Sequence, residues 1–145
     1  MATPTPAHQR LAIFEGRWRT QGTIVATANA PATPFSGTDT YTWLPGGFFM
    51  LHQVDVRMGS EPNQTTEVMG YDVATGRYTL HYFDNHGEHG ILYGTLNDRA
   101  WTITGDTLRF NGHFNEAGKS LTGTWERTTN GKDWAPFLTL ELTKV

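Results

Sequence analysis

The groups able to do chemistry in this chain are six histidines and fourteen carboxylates spread over 145 residues. The densest group is Asp84-Asn85-His86-Gly87-Glu88-His89. Histidines three apart converge on one ion when they share a helix face. Here Asn85-His86-Gly87 reads as the tip of a hairpin, so the two rings need not meet and the segment is expected to be a polar turn, with no metal. His52 is different. Its alternation places it with Met50, Val54 and Val56, on what reads as an inward face. An inward histidine is either a hydrogen-bonded core residue or, beside a cavity, a group that orients a ligand or moves a proton near neutral pH. Glu67 shares its alternation with Met69 and Tyr71, while Asp55 opposes Val54 and Val56. A bulge would bring either carboxylate inside, and the sequence leaves that open. His52 and Glu67 are thus the two catalytic candidates. No Gly-x-Ser-x-Gly elbow, phosphate-binding glycine loop or zinc-protease helix accompanies them. The absence of cysteine removes thiolate chemistry and disulfides.

The elements that must position these residues are strands. Thr, aromatics and Gly are abundant, which suits pleated surfaces joined by tight turns. After a polar tail over residues 1–6 and a short helical stretch from Ala7 to Phe14, apolar alternation recurs in segments near 17–26, 36–44, 47–58, 64–72, 77–84, 88–96, 99–104, 107–115, 119–128 and 136–144. The breaks between them carry turn chemistry: Leu44-Pro45-Gly46-Gly47, Asp72 to Gly76, Asn115 to Gly118, and Asn130-Gly131. Consecutive hairpins leave no room for crossover helices, so the sheet is antiparallel. About ten such strands curl and close, which removes exposed edges. Residues 7–145 are therefore expected to form one all-β antiparallel barrel with a short N-terminal helix, and an eight- to ten-stranded barrel has room for a small ligand.

Charge and hydropathy narrow the function. The net charge is −3 and no basic run occurs, which argues against nucleic acid and anionic membrane surfaces. No stretch reads as a signal peptide or a membrane-spanning helix, so the cytoplasm is the expected compartment.

Gly16-x-Trp18, Trp43-Leu44-Pro45-Gly46-Gly47-Phe48, Gly70-Tyr71-Asp72 with Tyr78, Asp84-x-x-Gly87, Gly123-Thr124-Trp125-Glu126 and Leu142-Thr143-Lys144 follow one another along nearly the whole chain. In this order they resemble DUF1579, a bacterial family of uncharacterised proteins. That family is similar to the lipocalin-like, or calycin, barrels, which include fatty-acid-binding proteins and the haem-carrying nitrobindins. The resemblance implies that Trp18 plugs the barrel floor, with Arg127 or Lys144 as the cation over its ring. It also raises haem, which nitrobindin-like barrels ligate through a histidine near the C-terminal end. Pro136 to Leu142 contains no histidine, and His113 has the wrong alternation. No cofactor is expected.

The aromatic residues lie on nearly every strand. They fill the barrel, pair across strands, or line a pocket. By alternation and aromatic character the expected ligand-binding residues are Tyr41, Trp43, Met50, His52, Tyr82, Phe110 and Trp125. The function expected first is binding of a small hydrophobic or amphipathic molecule inside the barrel. An isomerase, cyclase or hydrolase using His52 or Glu67 is the alternative. A homodimeric or protein-interaction module, using outward Phe49 and Leu51, is the third.

Overall fold

A computed structural model describes residues 2–145. Ten strands follow a short helix: β1 (Gly16–Ile24), β2 (Thr33–Trp43), β3 (Met50–Met58), β4 (Glu61–Asp72), β5 (Arg77–Asp84), β6 (His89–Asn97), β7 (Ala100–Thr104), β8 (Leu108–Phe114), β9 (Ser120–Arg127) and β10 (Ala135–Lys144). Each strand pairs antiparallel with its neighbour in sequence, and β1 pairs with β10 from Trp18↔Lys144 to Ile24↔Leu138. The sheet is a closed barrel, as the alternation predicts. Among the described residues closure leaves none of the ten strands with an unpaired edge.

The helix α1 (Pro6–Gln9) runs into a 3-10 turn over Arg10–Phe14. It starts one residue before the sequence reading. Pro6 lacks the N–H that a first helical residue leaves unused, and Thr5 and His8 form a reciprocal capping box ahead of it. The segment closes one end of the barrel. Leu11 and Phe14 are fully buried there, and the Phe14 ring meets Tyr41, Trp101 and Phe114 at 5.0–5.2 Å between centroids. The Tyr78 hydroxyl donates to the Ala7 carbonyl at 2.6 Å, which ties the plug to β5.

Gly16 enters β1 at φ +127°, a backbone conformation that a side chain resists. The turn brings Trp18 to the floor, where its indole N–H donates to the Phe14 carbonyl at 2.8 Å. Lys144 lies over the indole, with Nζ 4.9 Å from the ring centroid. Arg127, the other expected cation, instead lies over Phe137 at the opposite end. One strand begins later than the alternation suggests. Gly46 and Gly47 both take positive φ, so β3 opens at Met50. Phe48 thereby leaves the inward set and packs its ring on the edge of His8.

Candidate functional site

Above the plug the barrel encloses a cavity of about 190 Å³. Its wall is apolar over Phe35, Val54, Met69, Ile103, Leu138 and their neighbours, with five polar residues grouped on β1 to β4: Thr20, Asp39, Tyr41, His52 and Glu67. Strand register explains the grouping. Tyr41, His52, Glu67 and Tyr82 are direct cross-strand partners in one row across β2, β3, β4 and β5. Asp39 is two residues from Tyr41 on the same face of β2, and it reaches back to the β3 residue. Glu67 enters the barrel in regular register, with no bulge between β3 and β4. Asp55 lies on the opposite face and is exposed.

His52 is the centre of the group. Its Nε2 lies 2.7 Å from Asp39 Oδ2 and its Nδ1 lies 2.9 Å from Glu67 Oε1. A neutral imidazole has one N–H and one lone pair, and a carboxylate offers only acceptors. Both contacts are satisfied together when the ring is an imidazolium that donates from each nitrogen. Burial by itself would lower the pKa of His52, but hydrogen bonds and charge from Asp39 and Glu67 outweigh it and raise the value from 6.5 to about 9. Tyr41 stacks flat on the imidazole, with centroids 3.9 Å apart and planes within 9°. Burial, and then the negative charges of Asp39 and Glu67, push the Tyr41 phenol well above its ordinary pKa, so it remains a neutral hydroxyl. The Thr20 hydroxyl donates to Asp39 Oδ1.

This arrangement uses up some hydrogen-bonding capacity and leaves some free. Asp39 has one oxygen on Thr20 and the other on His52. Glu67 has one oxygen on His52, and among the described residues no hydrogen bond engages its Oε2 or the Tyr41 hydroxyl. Among those residues no buried side-chain polar atom lacks a partner. The two free atoms are therefore accessible, and they belong to residues that line the cavity. Chemically, the group can accept hydrogen bonds from a guest at Glu67, exchange one with Tyr41, and hold a proton on His52.

Of the residues expected to bind ligand, Tyr41, His52, Phe110 and Trp125 line the cavity. The other three do not line it. Met50 is fully buried in the core, and Trp43 and Tyr82 pack against that core as half-buried residues. Thr20 and Asp39 escaped the sequence reading. The signal for them was present in the alternation: Asp39 shares a strand face with Phe35 and Tyr41, and Thr20 shares one with Trp18.

The cavity adjoins an outer groove at the end opposite the helix. The two share Met58 and Leu138, and the groove continues over Ile24, Glu88, Arg127 and Phe137. Arg109, on the outer face of β8, lies over the Trp134 ring at 4.4 Å from its centroid. His86 lies in the β5–β6 turn and contacts Asn63 at 2.9 Å, while His89 stacks on Phe83 outside the barrel. Among the described residues no three His, Asp or Glu side chains are placed to hold a metal ion. Phe49 is 49% exposed, with its ring against Gly70.

A haem does not suit these residues. The β10 strand offers no histidine, and both ring nitrogens of the lining His52 are committed to carboxylates. The cavity is also smaller than the several hundred Å³ that ordinary cofactor pockets span.

The fold is similar to that in the crystal structure of Rv2717c from M. tuberculosis, with a TM-score of 0.74 at 15% identity, over 97% of this chain and 98% of that one. A de novo designed fluorescence-activating β-barrel matches at a TM-score of 0.50 and 10% identity, over 98% of this chain and all of the design. At such identities the likeness concerns the fold alone. No curated protein matches the chain. Residues 3–135, from the tail to the first residue of β10, match the family described as protein of unknown function DUF1579, and the chain belongs to that family.

Proposed function

We propose that the protein binds a compact, mainly apolar molecule inside the barrel and orients it by the polar group on β1 to β4. One observation carries this reading: a cavity with thirteen apolar lining residues has all five of its polar ones in a single cluster. An interior built only for stability gains nothing from unfilled space, which costs packing contacts. Polar groups that converge on one wall of an apolar pocket are how small-molecule sites set orientation. The size is informative too. A cavity of about 150 Å³ accepts benzene, so the volume here suits one ring or a short chain.

Native mass spectrometry of protein purified from its own host tests the reading, with a reproducible small-molecule adduct as the expected result. Val54→Phe, which places a larger side chain in the cavity, is expected to remove the adduct and leave a folded barrel. Protein that carries nothing, and whose melting temperature no compact apolar compound raises, would sink the proposal.

A second reading is supported by the pairing of His52 with Glu67. A carboxylate with one oxygen on an imidazolium and the other free beside an apolar guest is placed for proton transfer. The same barrel would then serve isomerisation, cyclisation or hydrolysis. Turnover of a small cyclic or ester substrate, reduced by about 10²–10⁴-fold in Glu67→Gln, would distinguish this from binding alone.

A further inference from the structure

We infer that the head-group position of this cavity takes a protonated amine carried on a compact apolar body, and that it rejects the carboxylate of an acid of the same size. The inference rests on the binding reading above and adds the chemical class of the guest.

The argument is a matching of donors, acceptors and charge. Among the described residues no lysine or arginine lines the cavity. The one cation there, His52, already donates from both nitrogens to Asp39 and Glu67. Thr20 spends its hydroxyl proton on Asp39. What remains open to a guest is the Glu67 Oε2 acceptor and the neutral Tyr41 hydroxyl, on residues that are otherwise enclosed. With both carboxylates ionised the cluster sums to one net negative charge, two carboxylates against one imidazolium. An entering carboxylate would meet that charge with only Tyr41 to donate to it, among side chains that are mostly buried, where like charges repel more strongly than in open water. An ammonium would donate to Glu67 Oε2 and Tyr41 and would neutralise the cluster. The aromatic lining acts in the same direction, because Trp101, Phe110 and Trp125 stand in the wall and an aromatic face attracts a cation. A carboxylate guest would need the reverse pattern, a positive or donor-rich site.

Four probes with one phenyl ring and similar size test this in the intact protein at pH 7.5: phenethylamine, 2-phenylethanol, ethylbenzene and phenylacetate. Binding is followed by calorimetry and by the fluorescence of the cavity tryptophans. Phenethylamine is expected to bind about tenfold or more tighter than ethylbenzene, as a charge-assisted contact to a buried carboxylate implies. Phenylacetate is expected to bind more weakly than ethylbenzene. If phenylacetate matches or exceeds the amine, or ethylbenzene equals it, the head-group assignment is wrong while the binding reading stands. If none of the four binds, the cavity is no receptor for compact apolar bodies and both readings fall. Glu67→Gln is expected to lower the ratio of amine to ethylbenzene affinity by about tenfold, and an unchanged ratio removes Glu67 from the site. Tyr41→Phe deletes a hydroxyl that bonds nothing among the described residues, so it keeps the test open if the Glu67 variant does not fold. It is expected to lower the same ratio by roughly threefold.

Discussion

His52 has two carboxylate neighbours, and this makes its proton part of the folded structure. The folded pKa of about 9 lies above the ordinary 6.5, so the folded chain holds the proton more tightly than the unfolded chain does. Its contribution to stability is therefore full below pH 6.5 and is lost as pH rises through about 9. At about 1.4 kcal/mol per pKa unit the effect is on the order of 3 kcal/mol. Urea unfolding between pH 6 and pH 10 is expected to show that decline. Asp39→Asn removes one of the two charges, and ¹H–¹⁵N spectra of the imidazole should then show His52 titrating closer to its ordinary value. An unchanged titration would mean that Asp39 does not hold the ring. Asp39 itself was legible only as a member of an alternating set. Nothing local to β2 says that a carboxylate between Phe35 and Tyr41 will find its donor on β3, because that contact depends on register.

At the level of elements, interior space is made by pairing large rings with glycines. The Phe110 ring lies over Gly112 and Gly123, and a Cβ on Gly123 would stand 2.3 Å from the ring edge. Gly123→Ala is expected to push Phe110 into the cavity, to cost about 1–3 kcal/mol of stability as overpacking does, and to weaken any guest. Chemical denaturation and a binding titration on the same variant check both effects. The plug is a separate element held by few polar contacts. Tyr78→Phe removes the bond to the Ala7 carbonyl, and a loss of about 0.5–1.5 kcal/mol is expected. Hydrogen exchange should rise first over residues 6–14, since a single released tie loosens the plug before the strands. Lys144 over Trp18 seals the same end from outside. The sequence could not choose between Lys144 and Arg127 for this place, because both precede or follow apolar runs with the same alternation. The β1–β10 pairing, formed between residues more than a hundred positions apart, decides it.

At the level of the whole molecule, closure joins the first strand to the last. Every other pair in the barrel links strands that are neighbours in sequence. A chain ending before Ala135 would leave β1 and β9 with open edges, and it is expected to aggregate where the full chain remains monodisperse in light scattering. Closure also creates the cavity, so any guest that fits stabilises the fold as a unit. A ligand present at 100 times its dissociation constant adds about 2.7 kcal/mol, which for a domain of this size is a rise in melting temperature of roughly 5–10 °C. No helix among the described residues is long and apolar enough to cross a membrane.

The amino-acid sequence by itself determined the strand count, their antiparallel order, the plug and the inward faces. Each follows from signals within ten or fifteen residues: alternation at a period of two, a turn glycine, a proline at a helix start. It also placed His52, Tyr41, Phe110 and Trp125 on the inside, and it left Glu67 open until the regular β3–β4 register put that carboxylate in the wall. Only the tertiary structure brought Thr20 and Asp39 to His52, left Glu67 Oε2 and the Tyr41 hydroxyl free, and moved Trp43, Met50 and Tyr82 out of the cavity wall. Those outcomes depend on which residues face each other across strands and on how the closed sheet is staggered. A one-residue change of register would keep every local pattern and break apart the triad of Asp39, His52 and Glu67.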